Sequence, residues 1–223
     1  LGSRPQVGDV DQMATLRRDL TGIVDSHRST PEMQRANAYA YYSWDITDRI
    51  KLIGGVGYDH LESPINTDLA PISQQTDSRD LIAPKIGITF EPWDRGEFRA
   101  AYSQSLGGLF FDNSVRLEPS LVAGFNQSYR SLIPEGVAGL TPGSRFETFH
   151  ASYNQSFKSG TYFGITGEIL ESNGDRGIGA LTNGTALPLP DTATTLIQDL
   201  NFREESVSAY AHHLIGNEWA PGI

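Results

Sequence analysis

The residues able to do chemistry are few and scattered. His212 and His213 are adjacent, and successive side chains of a strand point to opposite faces, so the pair does not chelate one ion together. His60 and His150 stand alone and read as wall or interface residues. Glu168 and Glu171 have opposite parity in a strand, so they do not form the facing carboxylate pair of a glycosidase. Glu118 precedes Pro119 in a stretch that reads as loop, with no carboxylate partner. "NGDRGIG" (173–179) carries acids and glycines but lacks the regular oxygen-ligand spacing of a calcium loop, and it too reads as loop. The sequons at 126, 154 and 183 read as chance. No nucleophile-elbow, phosphate-loop or zinc-protease motif is present. The chain has no cysteine, which removes disulfides, thiolate catalysis and cysteine-held metals. The expectation is a protein without enzymatic role, metal or cofactor.

What remains is chemistry of field. Arg35, Asp45, Lys51, Asp59, Lys85, Arg99, Arg145 and Glu168 recur on the polar side of alternating runs. In a wet channel such charges set selectivity electrostatically. Elsewhere they solvate a face and pair across strands. Arg145 shares parity with Phe149 and fits only beyond the strand's start. The net charge is −10 and no Lys/Arg run exceeds two residues, which excludes a nucleic-acid surface.

The elements that must position these charges have period two. In "QRANAYAYYSWDITDRIKLIGGVGYDHLES" (34–63), Ala36, Ala38, Ala40, Tyr42, Trp44 and Ile46 share one face. Arg35, Asn37, Tyr39, Tyr41, Ser43 and Asp45 share the other. After a turn near 47–49, Ile50, Leu52, Gly54, Val56 and Tyr58 alternate against Lys51, Ile53, Gly55, Gly57 and Asp59. The pattern repeats with Ile86, Ile88 and Phe90, a turn at 92–96, then Phe98, Ala100 and Tyr102. It repeats again with Phe149, Ala151, Tyr153 and Phe157, a turn at 158–160, then Phe163, Ile165, Gly167 and Ile169. A last strand is expected within 200–216. Residues 121–132 read as one strand with an irregularity at Gly124. The stretches 62–80 and 172–193 read as long loops. "AYSQSL" (101–106), "GFNQSY" (124–129) and "SYNQSF" (152–157) echo one another at spacings too uneven for a repeat protein. Residues 1–32 read as a polar N-terminal arm or short helix, and 33–223 as the β-domain.

Three features select a membrane barrel over a soluble sandwich. The arms run to about 10–12 residues, where a tilted membrane strand needs about 9–11 and sandwich strands about 5–6. Short turns alternate with long loops, as in outer-membrane barrels. One face carries Ala, Gly and aromatics, too little bulk for a packed interior but compatible with lipid. No run of 18 apolar residues forms a transmembrane helix, and no signal segment follows Leu1. Tyr42, Trp44, Tyr58, Trp93, Tyr102, Tyr129, Tyr153 and Phe157 are candidates for the interfacial aromatic belts. Trp44 and Trp93 are expected on the periplasmic, short-turn side, and Asp59 toward the opposite rim.

Within "YYSWDITDRIKLIGGVGYD", the residues Trp44, Ile46, Asp48, Leu52, Gly55, Tyr58 and Asp59 resemble a strand–turn–strand stretch of TonB-dependent outer-membrane receptors. Pro84, Lys85, Gly87, Pro92, Arg99, Ala100 and Tyr102 are similar to the hairpin that follows. The resemblance is best over 36–106 and weaker over 144–171 and 201–214. It implies an antiparallel transmembrane β-barrel, or part of one, in the bacterial outer membrane. Its environment would be outer-membrane lipid, with periplasmic or cell-envelope proteins, or the remainder of the same polypeptide, as partners. The implied role is transport or export of a solute or polymer. The chain departs from the family in having no plug, no energy-coupling box and no terminal aromatic strand, and eight or nine strands are expected. "RLEPSLVAGFNQSYRSLIPEGVAG" also resembles barrels attached to periplasmic helical-repeat domains of secretion proteins. The competing reading is a soluble or surface-displayed all-β ligand-binding module.

Overall fold

The computed structural model describes residues 2–9, 12–17, 24–30, 32–66, 75–107, 118–127, 143–182, 192–216 and 219–223. They contain twelve strands and no helix. The strands are β1 (Gly2–Asp9), β2 (Gln12–Arg17), β3 (Val24–Ser29), β4 (Glu32–Thr47), β5 (Ile50–Pro64), β6 (Thr76–Phe90), β7 (Gly96–Leu106), β8 (Leu121–Val122), β9 (Phe125–Asn126), β10 (Arg145–Ser156), β11 (Thr161–Thr182) and β12 (Thr192–His213). Eight form one antiparallel sheet in the order β1-β4-β5-β6-β7-β10-β11-β12. The remaining four make two small hairpins, β2-β3 and β8-β9. The sheet is open: β1 and β12 are its edges, and no closed barrel forms among the described residues.

The alternating runs become strands because each offers one apolar and one polar row. Asp48 and Arg49 turn β4 into β5, with Arg49 N donating to Thr47 Oγ1 at 3.2 Å. Gly96 N donates to Trp93 O at 3.1 Å and closes the β6–β7 turn. At the β10–β11 turn, Gly160 takes a φ of +79°, which glycine adopts without a Cβ clash. These three short connections lie at one end of the sheet. The other ends of β5, β6, β7, β10, β11 and β12, where the longer connections leave and return, lie at the opposite end.

Four expectations are corrected. Of the polar arm or short helix expected at 1–32, the helix does not form among the described residues, and β1 lies as an extended segment along the outer edge of β4 from Gly2↔Tyr39 to Asp9↔Glu32. That edge offers a ladder of backbone partners that outweighs a weak helical period. The helix alternative rested on the spacing of Val10, Met13, Leu16, Leu20 and Ile23, of which Val10, Leu20 and Ile23 lie outside the described residues. The expected loop 172–193 is mostly strand: β11 continues to Thr182 and β12 starts at Thr192, paired throughout. Gly174, Gly177 and Gly179 do not break the ladder, because a regular partner strand supplies their hydrogen bonds. Likewise β5 reaches Pro64 and β6 starts at Thr76, so the loop expected at 62–80 is shorter. Residues 121–126 form a hairpin rather than one strand, because Ala123 and Gly124 both take positive φ, +49° and +85°. That combination belongs to a two-residue type I′ turn, which reverses the chain.

The sheet curls. Arg79 of β6 donates to Asp175 of β11 at 3.0 Å. Three strand spacings of about 4.8 Å would separate those strands in a flat sheet. A Cβ on Gly177 of β11 would stand 2.9 Å from the carbonyl carbon of Ile65, just past the end of β5. The β6–β7 ladder runs from Phe90↔Phe98 only to Lys85↔Ser103. The next residue of β6 is Pro84, which has no N–H to give.

Candidate functional site

The two faces of the sheet are chemically opposite. On β4, Tyr42, Trp44 and Ile46 are exposed, while Met33 and Arg35 are buried. Tyr42 is 72 % exposed, Ile82 69 % and Val207 76 %. Ile86, Phe90, Phe98, Phe149 and Ile165 extend the same outward face. Trp44 is thus not sandwiched between sheets. An exposed apolar surface of this extent is a contact surface and not ordinary scatter.

The outward face has a boundary, and the boundary is oblique. Along each strand the apolar outward run that starts near the short turns gives way to polar residues at Ala36/Gln34, Tyr58/His60, Ile82/Asp80, Tyr102/Gln104, Phe149/Glu147, Ile169/Glu171 and Val207/Glu205, and beyond it an apolar residue recurs singly, as Ile197 on β12. Gln34 pairs with Glu62, which pairs with Ser78. Glu205 pairs with Ile169, and the row continues through Phe149 and Tyr102 to Ile86. From β4 to β12 the boundary therefore moves from the level of Ser78 to that of Ile86 on β6. Eight residues at about 3.3 Å make about 26 Å, across six spacings that total about 29 Å. The strands consequently lean about 40° from the normal to the band, within the tilt of about 35–45° that β-barrels adopt. Polar groups mark the edge: Tyr58 Oη donates to Asp80 at 2.6 Å, and Arg203 bridges Glu171 and Glu205 at 2.9 and 2.7 Å.

The opposite face carries the polar side chains and is covered in its middle by the β8–β9 hairpin. Gly87 makes the seat. A Cβ there would lie 2.7 Å from Ala123 Cβ and 2.9 Å from Val122 Cγ1, so only glycine leaves room for the hairpin's tip. Val122, Ala123 and Phe125 are buried against Ala101, with Tyr41 and Ile53 at the margin. Phe125 stacks on His150 at 4.9 Å, and the Arg99 guanidinium stands 5.6 Å from the Phe125 ring. Glu118 Oε1 accepts from Lys85 Nζ and from Tyr41 Oη, and Tyr41 Oη also lies 2.9 Å from Gln127 Oε1. Gln127 Nε2 in turn donates to Pro119 O. Tyr41 reaches this cluster because its ring lies over Gly55, its cross-strand partner: a Cβ there would stand 2.6 Å from Tyr41 Cδ1.

The expected wall charges fall into three groups. Arg35, Asp59, Lys85, Arg99 and Glu168 lie on the polar face. Arg35 Nη2 stands 2.8 Å from Asp59 Oδ1 and also donates to Leu106 O at 3.2 Å. Arg99 pairs with Glu97 at 3.0 Å, and His150 Nδ1 lies 3.5 Å from Glu168 Oε2. Asp45 and Lys51 pair with each other at 3.5 Å, exposed at the short-turn end. Arg145 lies opposite Asn173 in register, at the parity of Phe149, and pairs with Glu147 at 2.5 Å, so it is on the outward side, at the polar border.

Of the belt aromatics, Tyr42, Trp44, Tyr58, Trp93 and Phe157 are exposed, Tyr102 and Tyr153 are half-buried, and Tyr129 lies outside the described residues. Trp93 and Trp44 sit toward the short turns, where Trp93 Nε1 donates to Gln155 at 2.6 Å. Two of the echoed stretches share a contact. Tyr102 bonds Gln104 at 2.5 Å, and Tyr153 bonds Gln155 at 2.6 Å, at opposite ends of their strands.

Sequence reasoning missed Glu118 and Gln127 as site residues. The only signal was the third echo, "GFNQSY", which contains Gln127. Among the described residues no group of three or more His, Cys, Asp or Glu side chains is placed to hold a metal, and the chain has no cysteine.

No family model matches the chain, and no curated protein matches it. Among solved structures it is similar in fold to the copper transporter OprC, with a TM-score of 0.58 and 10 % identity. The likeness covers 99 % of this chain and 33 % of that one, so the chain spans about a third of the transporter's length.

Proposed function

We propose that the chain is a segment of an outer-membrane β-barrel that carries a solute or polymer across the bilayer along its polar face. One observation carries this reading: an apolar band on the outward face whose border crosses the strands at a barrel-like angle of about 40°. Lipid would meet the band, and water would meet the opposite face, where Arg99 and Glu168 are partly exposed. Likeness of fold to a transporter supports the reading. Copper is not carried over as cargo, since nothing in the site argues for it. The soluble binding-module reading would leave Tyr42, Ile82 and Val207 in water, which the hydrophobic effect opposes.

The test is a charge scan of β11 and β12 in the intact protein folded into lipid vesicles. Ile165→Arg, six residues inside the border residue Glu171 on the outward face of β11, should lower folding stability by about 2–4 kcal/mol if it reaches the bilayer midplane, and by less nearer the border. Arg at position 201, beyond the border, should cost about 0–1 kcal/mol. Equal small costs at both positions, with folding in buffer lacking lipid or detergent, would sink the reading.

A further inference from the structure

We propose that the β8–β9 hairpin is a displaceable stopper, seated on Gly87 and latched by Glu118 on Lys85, that closes the polar face of the sheet. This rests on the transport reading and adds a moving part to it.

Four observations support it. The contact is made to fit at one point, since Gly87 leaves room for Val122 and Ala123 where any side chain would collide. The latch is electrostatic: Lys85 is 4 % exposed, and Glu118 brings a carboxylate to it from outside the sheet. Such a contact is strong when dry and weakens once water or a competing ion enters. The apolar part is small, one valine, one alanine and one phenylalanine, so uncovering it costs far less than opening a domain core. The tip is also under backbone strain, because Ala123 is a non-glycine residue at φ +49°.

The face beneath suits a polar solute. His150 Nε2 and Ser152 Oγ are buried with no hydrogen-bond partner among the described residues. Ser152 lies opposite Arg99 in register, and His150 lies under the Phe125 ring. Lifting the hairpin would open these donors and acceptors, together with Lys85, to whatever enters. A permanent wall element would more often leave buried polar groups paired.

This chain has no cysteine, so a thiol introduced at position 101 is read on the peptide that carries it. Ala101, buried against Val122, Ala123 and Phe125, is replaced by cysteine (Ala101→Cys) in the intact protein reconstituted into liposomes. A membrane-impermeant maleimide is added, and the labelling rate is read by mass shift. The hairpin should shield the introduced thiol in the otherwise unchanged protein. Glu118→Gln, which keeps shape but removes the latch charge, should speed labelling at least tenfold. Gly87→Leu, which fills the seat, should do the same and raise erythritol permeation at least threefold. Rapid labelling without a second change would overturn the proposal, because the hairpin would not be seated. Unchanged labelling with both variants, or faster labelling with unchanged permeation, would overturn it as well. Ile165→Cys, well inside the band, in the same liposomes separates the two readings. Fast labelling there would count against the bilayer reading, while the rates at position 101 would still judge whether the hairpin lifts.

Discussion

Arg35 and Asp59 form a diagonal ion pair between β4 and β5, 2.8 Å apart, with each residue only 8 % exposed. A buried charge that loses its partner keeps its desolvation cost without the compensating attraction. Asp59→Ala should therefore destabilise the fold by about 3–5 kcal/mol. The double variant Arg35→Met/Asp59→Ala should recover most of that loss. Urea unfolding in lipid vesicles reads both. A single-variant loss below about 1 kcal/mol, the range of exposed pairs, would mean that water reaches the pair.

The oblique band makes a prediction about depth. Ile86 and Glu205 lie on the same ladder row, yet one is inside the band and the other beyond its border. Environment-sensitive fluorophores on cysteines at 86 and 205 should report a hydrocarbon-like site and a polar site respectively. Equal emission at the two positions would mean that the rows lie parallel to the bilayer plane and that the tilt is wrong.

Ala123 is strained where Gly124 is not. Replacing it by glycine removes the left-handed penalty of about 1–2 kcal/mol that a Cβ carries, partly offset by the greater freedom of glycine in the unfolded chain. Ala123→Gly should therefore hold the hairpin more firmly. Labelling of a cysteine at position 101 should slow about two- to fivefold, and acceleration would contradict the turn geometry.

Arg79 and Asp175 link β6 to β11 at a partly wet site, with side chains 31 % and 46 % exposed. Exposed pairs contribute about 0–1 kcal/mol. A double-mutant cycle should give a coupling in that range, falling as salt rises. The curl of the sheet should survive loss of the pair, because it follows from strand twist.

Sidedness was legible because it depends only on parity. Ala36 to Ile46 alternate with Arg35 to Asp45, and a ladder preserves that alternation wherever the strand goes. Strand ends were less legible. Residues 173–179 look like a loop locally, and become strand only because 195–201 lie alongside. Residues 2–9 are strand for the same non-local reason. The hairpin site was invisible for a stronger reason. Lys85 and Glu118 are 33 positions apart, and Tyr41 is 77 from Glu118. No spacing rule joins three residues from two strands and a connecting segment. Arg145 shows the limit from the other side: parity put it with Phe149, and its position at the polar border is what lets a charge stand there.

Gly87 also carries a consequence for how the protein can drift. Every single-nucleotide change of a glycine codon that replaces the glycine with another amino acid introduces a Cβ. At this position that atom meets Ala123 and Val122. A lineage carrying this chain is thus one base change from a form in which the hairpin no longer fits. Selection for a closed resting state would appear as an intolerance of all substitutions at position 87.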